Sequence, residues 1–146
     1  MADTYVKRIV AAIAAAIDAP GKPAGLVVSP SRKRPSNAAK YIAVFPIHDE
    51  AASEATPRSR AFMGARRLLT VQLLCRCAGT DLDNEALRAW AVAQLMQDVT
   101  LGGIAVGLDE AATDWQGEID STTEYSEAPM EFVVEYARRR NTLEIA

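Results

Sequence analysis

The chain has 146 residues, of which 49% are hydrophobic, 24% charged and 6% aromatic, and its formal net charge is −3. That length fits one domain, and the apolar fraction excludes intrinsic disorder. No apolar run approaches the 18 residues of a membrane-spanning helix, the mild acidity argues against a protein that lives on DNA or anionic membrane, and the start lacks a secretory-signal pattern, so a soluble intracellular protein is expected.

The first segment, Asp3 to Ala19, reads as a helix: Val6, Ile9, Val10, Ile13 and Ile17 recur at helical spacing, Asp3 or Thr4 can cap it, and Pro20-Gly21 stops it. Ala24 to Ser29 is a short strand, followed by the proline-bracketed basic loop Pro30-Ser31-Arg32-Lys33-Arg34-Pro35. Tyr41 to His48 alternates as a strand with Tyr41, Ala43, Phe45 and Ile47 on one face, and Pro46 marks an edge position or a late bulge. Asp49 to Arg60 has no strong apolar residue and reads as a long exposed loop. Met63 to Cys77 gives the strongest strand signal, with Leu69, Val71, Leu73, Cys75 and Cys77 sharing a face. A second helix is predicted from about Leu82 to Val99, capped by Asp81 or Asp83, carrying Leu87, Ala91, Leu95 and Val99 on one side and ending at Leu101-Gly102-Gly103. Ile104 to Leu108 and Ala111 to Gln116 are candidate strands broken at Asp109-Glu110. An acidic loop over 118–129 ends at Pro129, and Met130 to Arg138 is a last strand with Met130, Phe132, Val134 and Tyr136 inward. The expected fold class is α+β, an antiparallel or mixed sheet of about five strands with two helices packed on one face.

A search for chemistry finds little. Cys75 and Cys77 are two apart in a strand, which places their side chains on one face without the convergence a disulfide needs. A zinc site would need further ligands, and the single histidine is His48. There is no phosphate loop, no nucleophile elbow, and no carboxylate pair marked by an apolar pocket. The expectation is a protein that is not an enzyme, with no cofactor and no metal. The catalytic alternative is a small cytoplasmic enzyme that uses Cys75 or Cys77 with His48.

Charge placement is more informative than its sum. Residues 32–76 hold nine Lys/Arg and three Asp/Glu, whereas residues 109–131 hold eight Asp/Glu and no Lys or Arg. One reading is ordinary solvated surface. The other is a molecule with a basic and an acidic flank that associates head to tail, a heterologous contact able to close into a ring.

At this point the order of elements resembles the tail terminator (tail completion) proteins of long-tailed bacteriophages. The resemblance is carried by the helix Val6-x-x-Ile9-Val10-x-x-Ile13, the strand Tyr41-Ile-Ala-Val-Phe-Pro, a polar loop and the long strand Arg67-Leu-Leu-Thr-Val-Gln-Leu. The helix after Asp81-x-Asp83, the Leu101-Gly102-Gly103 stop and the closing strand Met130-Glu-Phe-Val-Val-Glu-Tyr136 complete it. It implies α+β subunits that form a hexameric ring on the finished tail tube, end its polymerisation and present a surface to the head connector, without cofactor or catalysis. The implied place is the neck end of the virion tail, with assembly in the bacterial host cytoplasm. The implied partners are further copies of the chain, the major tail tube protein and a head–tail connector or neck protein, with no membrane and no sequence-specific nucleic acid.

On that reading Arg58, Arg60, Arg66 and Arg67 are candidates for contact with the tube or its lumen. The acidic stretch from Asp109 to Glu127, including Glu110, Asp114 and Glu118, is the candidate for meeting a neighbour's basic flank. The clusters Arg32-Lys33-Arg34 and Arg138-Arg139-Arg140 have no counterpart in the family pattern, and the second joins the candidate interaction residues. Two other readings are a head–tail joining or neck protein, and a nucleic-acid binder that uses the two arginine clusters, which the acidic remainder disfavours.

Overall fold

A computed structural model describes residues 4–31, 39–52, 65–113 and 125–138. The elements run α1 (Tyr5–Ile17), β1 (Leu26–Ser29), β2 (Lys40–Ala51), β3 (Ala65–Ala78), α2 (Asp81–Leu95), β4 (Gly107–Thr113) and β5 (Tyr125–Arg138). The strands form one sheet in the order β1-β2-β3-β5-β4, parallel between β1 and β2 and antiparallel elsewhere. The fold is therefore α+β with a five-stranded mixed sheet and two helices.

Both helices are amphipathic and lie on the same face of the sheet. In α1 the buried residues Ile9, Val10, Ile13, Ala14 and Ile17 follow the helical repeat, and Thr4 Oγ1 accepts the Lys7 amide at 3.1 Å as the N-cap. In α2 the stripe is Asn84, Leu87, Ala91 and Leu95. Opposite them, Ile42 and Val44 of β2, Leu69 to Cys77 at alternate positions of β3, and Met130, Phe132, Val134 and Tyr136 of β5 complete a core that excludes water. Each such aliphatic or aromatic side chain contributes about 1.5–3 kcal/mol by burial, so this layer dominates the fold's stability.

Several boundaries differ from those the sequence suggests. The helix-facing residues of β2 are Ile42 and Val44, while Tyr41 and Ala43 are buried on the opposite face. The first half of β2 is covered on both sides, so alternation does not distinguish its faces. β2 also continues through Asp49, Glu50 and Ala51, paired with Leu69, Leu68 and Arg67, so the start of the predicted loop belongs to a strand, and its remainder over 53–60 lies outside the described residues. Pro46 sits beside a register shift between Pro46 and His48, and β1 has already ended opposite Ala43. Among the described residues no strand pairs with that side of β2, which is where a residue without an N–H is tolerated.

The second helix starts and ends earlier than expected, at Asp81 and Leu95, and its cap is Thr80. Thr80 Oγ1 accepts from the Asp83 amide, and Asp83 Oδ2 accepts from the Thr80 amide at 2.9 Å, a reciprocal box. Gly79, at φ +128°, leaves room for that carboxylate, since a Cβ there would lie 2.3 Å from Asp83 Oδ2. Beyond the helix, Asp98 accepts from the amides of Thr100 and Gly102, and the chain turns through Leu101, Gly102 and Gly103, all at positive φ. Asp109-Glu110 does not break a strand. β4 runs through both, with a register shift between Glu110 and Ala112 that resets the side-chain alternation. β5 likewise begins before Pro129, at Tyr125.

Candidate functional site

The helices cover one face of the sheet; on the other, Tyr41, Ala43 and Leu74 are buried and most of the remaining positions are partly exposed. That second face presents, strand by strand, Tyr41, Ala43 and Phe45 of β2, then Leu68, Thr70, Gln72, Leu74 and Arg76 of β3, then Tyr125, Glu127, Pro129, Glu131, Val133 and Glu135 of β5. Leu68, Phe45, Pro129 and Val133 are only half-buried there. A groove of about 520 Å³ opens on this face at the β4 edge, with Leu68 and Val133 as floor, Gly107 and Ala111 as low walls, and Asp109 and Glu135 as acidic rim. The small residues of β4 create the trough, because a larger side chain at either position would fill it.

The charged residues of this face are arranged in cross-strand pairs. Arg76 lies opposite Glu127, with its guanidinium carbon 4.2 Å from the centroid of the Tyr125 ring and 5.9 Å from that of Tyr41. Arg66 meets Glu135 at 3.4 Å. On the helix side, Arg88 of α2 holds Glu110 at 2.5 Å, and Thr113 donates to the same carboxylate oxygen at 3.2 Å. Arg76 and Glu127 thus bring the basic block against the acidic block inside one chain, through β3 lying beside β5, while Arg66 and Glu110 each take a partner from outside those blocks. Exposed pairs of this kind contribute little stability but spend part of the charge that the linear sequence makes look available to a partner.

At one end of the sheet three strands share a tighter cluster. Asp49 of β2 accepts from Tyr136 Oη of β5 at 2.8 Å and from Arg67 Nε of β3 at 3.2 Å, while Arg67 Nη2 also reaches the Asp49 carbonyl at 3.2 Å. The Tyr5 ring of α1 stacks on Tyr136 with centroids 5.9 Å apart. Burial, aided by the Asp49 carboxylate, pushes the Tyr136 hydroxyl up to about 12. Arg67, offered by the sequence as a tube-contact residue, is here a structural tie only about one-fifth exposed. Arg66 is 62% exposed and remains on the surface.

Of the remaining candidates, Asp109 is exposed on edge strand β4, Glu110 is engaged with Arg88, and Arg138 ends β5 opposite Ala65. Arg58, Arg60, Asp114, Glu118, Arg139, Arg140 and the Arg32-Lys33-Arg34 cluster lie outside the described residues. Residues that the linear reading did not offer for interaction are Leu68 and Val133, which line the groove, and Lys7, which lines a second groove of about 410 Å³ beside β1 with Thr4, Val6, Val10, Ala11, Pro30 and Pro46. Leu68 and Val133 lie off the main apolar alternation of their strands, and Lys7 reads as an ordinary solvated helix position.

Cys75 and Cys77 are free, buried and on the helix side of β3. Burial pushes the Cys75 thiol up to about 12 and raises that of Cys77 as well. Cys75 lies opposite Ile42, whereas His48 is six residues further along β2, roughly 20 Å away at the rise of a strand, and instead faces Glu50 at 3.4 Å. The geometry does not bring a thiolate and an imidazole together. A buried polar group does occur nearby: Asn84 Nδ2 donates to the Cys75 carbonyl at 3.1 Å and to Ser126 Oγ at 3.2 Å, and Ser126 donates to Asp81 at 2.6 Å. This chain of bonds fixes α2 against β3 and β5.

No family model matches the chain, and no curated protein matches it. Among solved structures it is similar to a chain described as "Virion of native gene transfer agent (GTA) particle", at 12% identity and a TM-score of 0.48, with 92% of each chain covered.

Proposed function

We propose that the chain is a structural virion protein of a long-tailed phage-like particle. Copies join into a ring, six on the family pattern, that caps the tail tube, ends its polymerisation and offers a surface to the head connector. The role is mechanical and uses no cofactor. The observation that carries this reading is the one-sided sheet. Two helices cover one face; among the described residues the other face buries Tyr41, Ala43 and Leu74 but leaves Leu68, Phe45, Pro129 and Val133 half-buried among charged residues, which is the surface offered for contact. The order of elements supports it further, because the helix, long central strand, second helix and closing strand that carry the resemblance are all present as elements.

The test uses the tail tube protein encoded in the same genome, polymerised with and without the purified chain and imaged by negative-stain electron microscopy. Capping predicts shorter tubes, with a ring of added density at one end. Tubes of unchanged length and unmarked ends, at a chain concentration equal to that of the tube subunit, overturn the reading.

A further inference from the structure

The groove beside β4 has two unlike ends. At one, Leu68, Glu135 and Gly107 form a row across β3, β5 and β4, and Glu135 already has Arg66 as its partner at 3.4 Å. At the other, Asp109 lies opposite Val133, and Glu131 follows two residues along the same face of β5. Asp109 is exposed and accepts from the neighbouring Glu110 amide at 3.0 Å, and among the described residues no cation pairs with it or with Glu131. The floor between the ends is apolar, Leu68 and Val133, and the wall of Gly107 and Ala111 is low. This trough fits an extended segment with apolar side chains at alternate positions and cations ahead of them.

Residues 139–146, Arg-Arg-Asn-Thr-Leu-Glu-Ile-Ala, have that order. In an extended chain Leu143 and Ile145 fall on one side, about 7 Å apart, which is also the separation of the Val133 and Leu68 rows, two residues along the strands. Arg140 precedes Leu143 by three residues, about 10 Å, so with Leu143 over Val133 the arginine pair reaches Asp109 and Glu131. The chain's own segment cannot make that match. It follows Arg138, where β5 ends, and Val133 and Glu131 lie five and seven residues back, about 17 and 23 Å. Folding back would spend Arg139 and Arg140 on the turn and hold them at the end of the groove where Glu135 is already paired. A segment from a second copy carries no such tether, and its eight residues reach about 26 Å when extended.

We infer that residues 139–146 of one copy lie in the groove of the next, with Leu143 and Ile145 over Val133 and Leu68 and the arginine pair against Asp109 and Glu131. The segment then runs antiparallel to β4. Groove and segment are different parts of the chain, so the contact is heterologous and repeats from copy to copy around a ring. The apolar side chains supply the buried area, while the arginines set the direction of entry and make the contact sensitive to salt. Arg139 and Arg140, which have no counterpart in the family pattern, gain a role in this way.

This inference rests on the proposed self-assembly and is tested separately from it by complementation between two full-length variants. Leu143→Ser/Ile145→Ser disables the segment, and Gly107→Leu fills the trough. A Cβ at Gly107 meets nothing within 4 Å and its φ lies outside the left-handed region, so this chain should fold as the wild type does, which circular dichroism verifies. Ala111→Leu fills the same trough from an exposed position and serves as a second groove variant. In sedimentation over a concentration series, each variant alone should need roughly tenfold or more protein for half-assembly. When they are mixed, the first keeps its groove and the second its segment, so a pair of about 31 kDa, twice the 15.7 kDa of one chain, should form where neither assembles alone. Variants that assemble as the wild type does overturn the exchange, and so do variants that fail to assemble yet give no pair on mixing, which would put the segment in the groove of its own chain. Both results leave the ring reading intact. A wild-type chain that stays monomeric at every concentration overturns both.

Discussion

Asp49→Ala tests the tie that holds β2, β3 and β5 at one end of the sheet. The substitution removes the acceptor of Tyr136 Oη, 2.8 Å away, and of Arg67 Nε, 3.2 Å away, while Arg67 keeps its bond to the Asp49 carbonyl. Tyr136 is fully buried, so its hydroxyl is left without its acceptor, a loss of about 1–3 kcal/mol. The Arg67 contact adds less, because that pair is 20–25% exposed and partly screened. The sum is about 2–3 kcal/mol, equivalent to a fall in Tm of roughly 8 °C for a chain of this size. Urea and thermal unfolding followed by circular dichroism measure it. Tyr136→Phe removes the hydroxyl together with its need for a partner and should cost about 1 kcal/mol. In the double variant the two effects should fall short of additive by about 1 kcal/mol, the coupling of groups in one network. An Asp49→Ala protein within 0.5 kcal/mol of wild type, or strict additivity, refutes the reasoning.

Four further outcomes follow from the same geometry. Thr80→Ala should lower stability by about 1 kcal/mol through loss of the N-cap, read by urea unfolding, with Asp83→Ala costing less because it keeps the Thr80 side of the box. Asn84→Ala should cost about 1–3 kcal/mol, since the buried Cys75 carbonyl and Ser126 lose their donor, and should exceed the effect of any exposed polar substitution on α2. Thiol labelling should find Cys75 and Cys77 inert in the native protein and reactive only after unfolding. In alkali, the raised Cys75 and Tyr136 groups stay neutral when folded while their unfolded counterparts ionise. Stability is therefore complete below about pH 9, and falls as pH climbs from there toward about 12, and the Cys75→Ala/Tyr136→Phe variant should show a shallower decline across that window.

The residues that declared themselves in the sequence are those that face the helices. Leu69, Val71, Leu73, Cys75 and Cys77 on β3 and Met130, Phe132, Val134 and Tyr136 on β5 alternate because one face of each strand meets the core and the other does not. The α1 stripe is equally plain, and Thr4, one of two residues able to cap it, is the N-cap. Edge and bulged strands hid for the same physical reason in reverse. β4 has little apolar face to pattern it, and the irregularity after Glu110 breaks its period, so two charged residues looked like a turn. The second half of β2 is polar because β1 no longer covers it, and its Asp49 is chosen by Tyr136 and Arg67, residues far away in the chain. Long-range pairing is also what local charge counting misses. The basic and acidic blocks are distinct along the chain, but antiparallel β3 and β5 put Arg76 of one opposite Glu127 of the other, and give Arg66 a partner in Glu135 beyond the acidic block.

The most direct measurement of the central claim is the mass of the purified wild-type chain by sedimentation, at high protein concentration and across a salt series. A chain of 15.7 kDa that forms the proposed ring predicts a closed six-copy species of about 94 kDa, weakened by salt where charged residues join the copies. A stable dimer whose mass is indifferent to salt contradicts it.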